Sequence, residues 1–295
     1  MEFDDDLIEG LGPEVAWRQA ISAYEADELA EAHALAERFG GAWGGALLGT
    51  YRQIEAEWYT RNGGKVRDLG DGVSFEWPAD AYPRIADGER IVRQTLTVAE
   101  RFGWRRAGAM RVSWLSPSVD APWLPMRAGY YSLKEPYHKI CLPSTLEDDE
   151  MDEALRHEVA HAMVRERAGT AAPEWLHEAV AQAAEGRRLV GLARRFADRE
   201  RWLDPEDLDA AFHVDRRDPG AMRDLEDAYA QAALIGGWLA RQSGEAKLGQ
   251  LLDAFADNTL LTDLKMRVTG QSPADEALKQ VYGLGERELF AAVLN

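Results

Sequence analysis

The feature that most constrains this chain is the string HEVAH at residues 157–161. On an α-helix, His157 and His161 lie four positions apart, so their side chains project from the same face, one turn above the other. Two imidazole nitrogens placed in this way can bind one metal ion, and the spacing is typical of a zinc site. Glu158 lies about 100° further round such a helix. Its carboxylate is therefore better placed to hold an attacking water than to bind the metal.

The flanking sequence predicts that HEVAH lies within a helix. Acidic residues are concentrated from Glu147 to Glu153, as is favourable near a helix N-terminus, and Gly169 is a typical residue after a C-terminus. Apolar residues follow at helical spacing: Met151, Leu155, Val159 and Met163. A second helix is predicted from Pro173 to Gly186, because proline suits the first turn. The segment therefore predicts two helices joined by a short turn.

Glu178, in the second predicted helix, is the candidate for a third ligand. A catalytic zinc ion takes three protein ligands and keeps an open position, and two histidines with one glutamate form a common hydrolytic set. The 17 positions from His161 to Glu178 allow one helix to end and a second to return. Helical periodicity alone also allows Glu178 to lie on the solvated face of an amphipathic helix. The residues by themselves leave both interpretations open.

The two helical segments, HEVAH and PEWLHEAVAQ, resemble the gluzincin metallopeptidases, and most closely the bacterial peptidase MA-like proteins. The second helix of those proteins typically contains WLxEGxA, and this chain has Ala179 where that motif has glycine. The resemblance implies a peptidase that binds one Zn²⁺ through His157, His161 and Glu178. It also implies an α+β, zincin-like fold, in which a small mixed sheet and the active-site helix precede a helical C-terminal lobe.

The resemblance also implies roles for residues of the C-terminal half. Gluzincins often stabilise the oxyanion with a tyrosine or a histidine. The candidates are Tyr229, which aligns with a recurrent tyrosine in similar proteins, and His213, although a buried helical tyrosine more often only packs against its neighbours. Gln182, four positions after Glu178, is expected to orient a ligand histidine, because relatives frequently have an acidic residue there. His177 is expected to face solvent or to hydrogen-bond a neighbour.

Upstream of HEVAH, the sequence predicts strands and one amphipathic helix. Strands are predicted at GVSFEW from Gly72, at AMRVSWL from Ala109, and at AGYYS and HKICL around a turn at residues 134–136. The helix is predicted from Ile85 to Phe102. In the gluzincin superfamily, the strand before the active helix is commonly an open edge to which a substrate backbone can add. Gly129–Leu133 is the candidate for that edge, and an ordinary hairpin is the alternative.

The N-terminal region differs in composition from the rest of the chain. Residues 13–39 are rich in alanine and glutamate at helical spacing, which predicts one long helix or a helical hairpin, and a further helix is predicted to reach Arg61. A turn at residues 61–64 is the predicted boundary. The expected regions are an N-terminal helical region at 1–64, an α+β lobe with the HEVAH helix at 65–168, and a helical C-terminal lobe carrying the third ligand at 169–295. The gluzincin resemblance covers roughly residues 79–295.

Composition argues against several classes of function. A net charge of −18 over 295 residues argues against nucleic-acid binding, because phosphates would be repelled over most of the surface. No run approaches the ~18 apolar residues of a membrane span. The first ten residues lack the basic start and apolar core of a signal peptide, so a cytoplasmic protein is expected. The single cysteine, Cys141, agrees with a reducing compartment and is expected to be a small hydrophobic residue within a strand.

The sequence favours a zinc-dependent peptidase that acts on peptide or protein substrates, with Glu158 as general base. Two alternatives stay open: a zinc-containing scaffold or interaction protein without turnover, and a metal-dependent hydrolase of a non-peptide amide or ester. The intact HExxH string favours catalysis, because an inert protein has no need of Glu158. Ala179, Gln182 and the choice between two oxyanion donors leave room for the scaffold. The cleavage specificity and the oligomeric state do not follow from the sequence.

Overall fold

The chain forms two compact units in the computed structural model. Unit 1 comprises Met1–Val92 and Gly108–Leu155, and unit 2 comprises Arg93–Ala107 and Arg156–Asn295. This grouping differs from the three regions expected from the sequence, whose boundaries stay predictions. The structure describes residues 12–38, 46–79, 85–115, 129–134, 137–186, 191–196, 201–213, 219–256 and 272–294.

The described part of unit 1 begins with three helices. α1 (Pro13–Glu25) and α2 (Leu29–Arg38) are separated by a short turn, so the N-terminal segment is a helical hairpin and not one long helix. α3 (Ala46–Gly63) follows. The apolar residues at helical spacing meet in one buried cluster, which includes Trp17, Leu35 and Ile54. This shared core explains the periodicity of that part of the sequence.

A mixed sheet forms the other part of unit 1. Within the described residues it has five strands in the order β1-β2-β3-β5-β4. The strands are β1 (Lys65–Gly70), β2 (Val73–Trp77), β3 (Ala109–Leu115), β4 (Tyr130–Lys134) and β5 (Tyr137–Pro143). β2, β3 and β5 run parallel, and β1 and β4 pair antiparallel at the two edges. A parallel pair needs a long crossover, and α4 (Ile85–Glu100) lies within the crossover from β2 to β3.

The predicted mixture of helices and strands is confirmed. The predicted helix over residues 85–102 corresponds to α4, and the predicted strands correspond to β2, β3, β4 and β5. The candidate edge at 129–133 is an edge strand, β4, within the described sheet; the turn residues 135 and 136 lie outside the described residues. β1 was missed, because most of its side chains are exposed and it lacks the apolar alternation that predicts a strand.

A buried ion pair connects α3 with β5 in unit 1. Lys139 is 0% exposed and Glu57 is 1% exposed, and Lys139 Nζ donates to Glu57 Oε2 over 2.6 Å. Tyr24 and Tyr130 both donate their hydroxyl groups to the other carboxylate oxygen of Glu57. Burial, and then the charge of Glu57, raises the pKa of Tyr24 well above its usual value, so Tyr24 stays a neutral donor. Each of these two buried charges therefore has a partner of the opposite sign, which compensates for the cost of burying an ion.

A second polar cluster joins the turn after α1 to the sheet. Asp27 has a left-handed backbone, with φ of 60°, which aspartate tolerates better than most residues. Its carboxylate accepts hydrogen bonds from Arg61 over 2.9 Å, from Arg111 over 3.2 Å and from the hydroxyl of Tyr137. Both arginines also form ion pairs with Glu76, at 3.5 Å and 3.1 Å. The N-terminal helices are thus bound to the sheet by charged groups as well as by apolar contacts.

Three other side chains of unit 1 have local packing roles. The ring of His33 stacks on Trp58 with 5.0 Å between the ring centroids. His138 is buried in β5, and its Nδ1 lies 3.0 Å from the hydroxyl of Tyr131. Cys141 is fully buried in the same strand, and this burial raises the pKa of its thiol. The prediction that Cys141 is a small hydrophobic residue within a strand is confirmed.

Unit 2 is built from helices. Within the described residues they are the part of α4 from Arg93 onward, the part of α5 (Asp148–Ala168) from Arg156 onward, α6 (Glu174–Glu185), α7 (Pro205–Ala211), α8 (Pro219–Ser243), α9 (Glu245–Ala256), α10 (Pro273–Tyr282) and α11 (Glu286–Leu294), with a 3-10 helix at Leu192–Phe196. Gln231 of α8 is fully buried and bonds both the N–H and the carbonyl of Leu203, at 2.9 Å and 2.7 Å. These bonds hold the segment before α7 against α8. None of the helices described is both long and apolar enough to cross a membrane.

Candidate metal centre

His157 and His161 lie on the same face of α5, as their spacing predicts. Their Nε2 atoms are 3.0 Å apart, and their rings meet at 80° with 4.6 Å between centroids. His157 is 2% exposed, and the side chain of His161 is 16% exposed. The two Nε2 atoms therefore lie close together on one face of α5, where His157 is buried and His161 is partly exposed.

Glu178 of α6 completes this group. Its carboxylate oxygens lie 3.4 Å from Nε2 of His157 and 3.6 Å from Nε2 of His161. One ligand atom from each of the three residues falls within 4.8 Å of the other two. The ligand atoms of a tetrahedral ion with bonds of about 2.0–2.1 Å would be separated by roughly 3.3 Å. The donor set, two imidazole nitrogens and one carboxylate oxygen, and its spacing therefore fit a zinc ion.

The turn between α5 and α6 brings Glu178 back to the histidines. Gly169 follows α5 with φ of 64°, a left-handed conformation that ends the helix. The carbonyl of Pro173 accepts hydrogen bonds from the backbone N–H of Leu176 and of His177, which starts α6. Glu178 is 8% exposed, among apolar residues of α6 that form part of the core of unit 2. The alternative, that Glu178 lies on a solvated face, is therefore wrong.

The carboxylate of Glu185 contacts the other ring nitrogen of His157, Nδ1. Nδ1 of His157 lies 2.6 Å from Oε1 of Glu185, which is 6% exposed. Gln182 was expected to orient a ligand histidine, but its side-chain amide instead donates to Oε1 of Glu185 over 3.3 Å. Glu185 was not among the residues predicted for the site. The available signal was its position seven residues after Glu178, which is two helical turns and so the same face.

Glu158 and His177 are the sequence neighbours of two of the converging residues, His157 and Glu178. Glu158 directly follows His157 on α5 and is 4% exposed, so its carboxylate is held inside the protein. His177 is half-buried, and its ring lies beside that of His161, with 6.1 Å between the centroids. Burial, and then the positive charge of Arg165, lowers the pKa of His177 to about 4. His177 is therefore a neutral ring beside the site at physiological pH.

The two candidate oxyanion donors differ in their surroundings. Tyr229 lies on α8, half-buried, and its ring packs edge-on against Phe212 with 5.2 Å between centroids. His213 directly follows Phe212 and has an exposed side chain. Both candidates thus lie near the end of α7, and the role of each stays a prediction.

Helices α6 and α8 approach closely at Gly236. A methyl group on Gly236 would overlap the carbonyl oxygen of Ala179, the residue after Glu178. The glycine at this crossing is therefore on α8, and the residue of α6 that it contacts is Ala179. The close approach of α6 and α8 therefore depends on Gly236.

Replacing Gly236 by alanine is expected to destabilise the protein by about 1–3 kcal/mol, because the added methyl forces α6 and α8 apart. The urea midpoint of unfolding measures this cost. Gly63→Ala is the control, because a methyl group on Gly63 would meet nothing within 4 Å. An unchanged midpoint for Gly236→Ala would show that the helices can separate without loss.

Unit 2 also contains an acid-lined cleft of about 760 Å³ where α6, α7, α10 and α11 begin. The carboxylates of this cleft already bind helix ends. Asp204 accepts from the N–H of Asp207 over 3.0 Å, and Asp275 accepts from the N–H of Glu286 over 2.9 Å. Glu286 accepts from Nε1 of Trp175 over 2.9 Å and so anchors the start of α6. Helix capping accounts for Asp204 and Asp275, and the bond to Trp175 accounts for Glu286.

No protein-family profile matches the chain, and no curated protein matches it. The interpretation of the site therefore depends on the side-chain geometry. The gluzincin relationship, which is carried by HEVAH and by the second-helix segment, remains a prediction.

Proposed function

We propose that the protein is a zinc-dependent peptidase with the ligand set of the gluzincins. The observation that carries this proposal is the convergence of His157, His161 and Glu178, with one ligand atom from each within 4.8 Å of the others. Glu158, the neighbour of the first ligand, is buried on the same helix. A buried carboxylate at this position has a direct use as a general base.

The proposed reaction is hydrolysis of a peptide bond by water. His157, His161 and Glu178 would hold a zinc ion, which would polarise the scissile carbonyl and make water acidic enough to ionise near neutral pH. Glu158 accepts a proton from the water as it attacks the carbonyl carbon, and then passes the proton to the leaving amine. Tyr229 is the proposed hydrogen-bond donor to the oxyanion, with His213 as the alternative.

The proposed substrate is a peptide or protein, the substrate class that the gluzincin resemblance implies.

Replacing Glu178 by alanine is expected to remove most of the bound metal, because it deletes one of three protein ligands. Inductively coupled plasma mass spectrometry of purified protein should find about one zinc ion per wild-type chain and far less in Glu178→Ala. Glu174→Gln is the matched control, because Glu174 is an exposed carboxylate of the same helix. Its zinc content should equal that of the wild type.

Incubation with a peptide mixture, followed by mass spectrometry of the products, tests the activity itself. Cleavage that requires zinc supports the peptidase. Stoichiometric zinc without hydrolysis of peptides, amides or esters would instead support the zinc-containing scaffold. Wild-type protein that cannot be loaded with zinc would overturn both.

A further inference from the structure

Glu185 occupies a restrained position behind the candidate metal centre. It is the last residue of α6, and Gly186 ends the helix directly after it with a left-handed φ of 72°. Gln182, one turn earlier on the same helix, donates its amide to the Glu185 oxygen that contacts His157. The carboxylate is thus held on one side by Gln182 and on the other by the ring of His157.

We infer that Glu185 is a positioning residue, which holds His157 with its proton on Nδ1 and thereby sets the zinc affinity of the site. This inference rests on the proposed function, because it concerns the same metal centre. Glu185 touches neither substrate nor metal in this proposal. It acts through the ring of His157.

The tautomer follows from the chemistry of the two groups. An ionised carboxylate can only accept hydrogen bonds, and a neutral imidazole has one N–H and one unprotonated nitrogen. With Glu185 ionised, the 2.6 Å contact to its Oε1 is a hydrogen bond that Nδ1 of His157 donates. Nε2 is then the nitrogen with a free lone pair. This is the atom that lies 3.4 Å from Glu178 and 3.0 Å from His161.

The negative charge of Glu185 has a second effect, separate from the tautomer. A carboxylate that accepts the N–H of a ligand histidine makes the other ring nitrogen more basic and so a stronger metal ligand. Changes to groups of this kind typically weaken metal binding by about 10–100-fold. Because Glu185 is only 6% exposed, solvent screens this interaction little.

Two substitutions separate charge from tautomer. Glu185→Gln keeps the shape of the side chain and an oxygen that can accept the N–H, but it removes the charge. Glu185→Met removes both the charge and the acceptor. We expect the zinc dissociation constant to rise about 10-fold in Glu185→Gln and about 100-fold in Glu185→Met. Gln182→Ala should give a smaller increase, because it only releases the restraint on Glu185.

The test combines zinc affinity, from competition with a chromophoric chelator, and nitrogen-15 NMR of the histidine rings in the metal-free protein. The NMR spectrum should show His157 as the Nδ1–H tautomer in the wild type and in Glu185→Gln, and as a mixture of tautomers in Glu185→Met. Glu286→Gln is the matched control. It alters another partly buried carboxylate that contacts α6, through Trp175, and it should leave both measurements unchanged.

The outcomes separate this inference from the proposed function. Wild-type protein that binds zinc, with weaker binding and a changed tautomer in Glu185→Met, supports the inference. Equal zinc affinity in the wild type and in both folded Glu185 variants would overturn it, and the metal centre would stand. Wild-type protein without zinc affinity would overturn the proposed function and the inference with it. Circular dichroism of each variant establishes that it is folded.

Discussion

Replacing Glu158 by glutamine is expected to lower the rate of peptide hydrolysis by about 10²–10⁴-fold, the usual contribution of a general acid–base group. Glutamine has the shape of glutamate, but it cannot accept the proton of the attacking water. Because Glu158 is not one of the three converging ligands, the variant should keep about one zinc ion per chain. Rates of peptide cleavage and zinc content, measured on the same preparations, test both parts.

Asp149→Asn is the matched control for this experiment, since Asp149 is an exposed carboxylate of the same helix, α5. It should retain the wild-type rate. Full activity in Glu158→Gln would show that the buried carboxylate is not the base. Loss of zinc together with activity would mean that Glu158 contributes to metal binding, which contradicts the separate roles proposed for it and for the ligands.

Replacing Glu57 by glutamine is expected to lower the free energy of unfolding by about 3–5 kcal/mol, because it leaves the charge of a buried lysine without its main partner. Lys139 is 0% exposed, and its Nζ lies 2.6 Å from Glu57 and 3.9 Å from Asp27. Asp27 already accepts hydrogen bonds from two arginines, Arg61 and Arg111, so it cannot replace Glu57 fully. Urea unfolding followed by circular dichroism measures the loss.

Glu55→Gln provides the control. Glu55 lies on the same helix as Glu57, and its ion-pair partner, Arg52, is more exposed than Lys139. Such a pair contributes about 0–1 kcal/mol, so this variant should be nearly as stable as the wild type. In the double variant, Lys139→Met should recover much of the stability lost in Glu57→Gln, because no buried charge is then left alone. If Glu57→Gln costs no more than Glu55→Gln, the ion pair contributes little to the fold.

The helices of the candidate site were predictable because their signals are local. The acidic start and Gly169 indicated α5, Pro173 and Gly186 indicated α6, and the spacing of His157 and His161 placed both rings on one face. The parallel strands were predictable for a similar reason, since β2, β3 and β5 each contain β-branched and aromatic residues, which favour strands. β1 was not, because an exposed edge strand does not need apolar alternation.

Other residues of the site needed the tertiary structure. Glu185 lies on the same face of α6 as Glu178, but a charged residue at the end of a helix is usually exposed to solvent. Only its burial against His157 distinguishes it. The position of His177 also needed the tertiary structure. Because His177 adjoins Glu178 in sequence, its side chain was expected to point away from the site, but its ring lies next to that of His161 on α5.

The amino-acid sequence by itself determined the two helices of the candidate metal site, the identity of the histidine pair and the candidate base, since these depend on helical geometry over a few residues. The tertiary structure decided which carboxylates face the histidines, and it decided that Glu57 and Lys139, which are 82 positions apart, form a buried pair. The physical reason is that burial and charge pairing arise between elements that are distant in sequence. A local sequence pattern determines which side chains share a face of a helix or strand. Only tertiary packing determines what that face contacts.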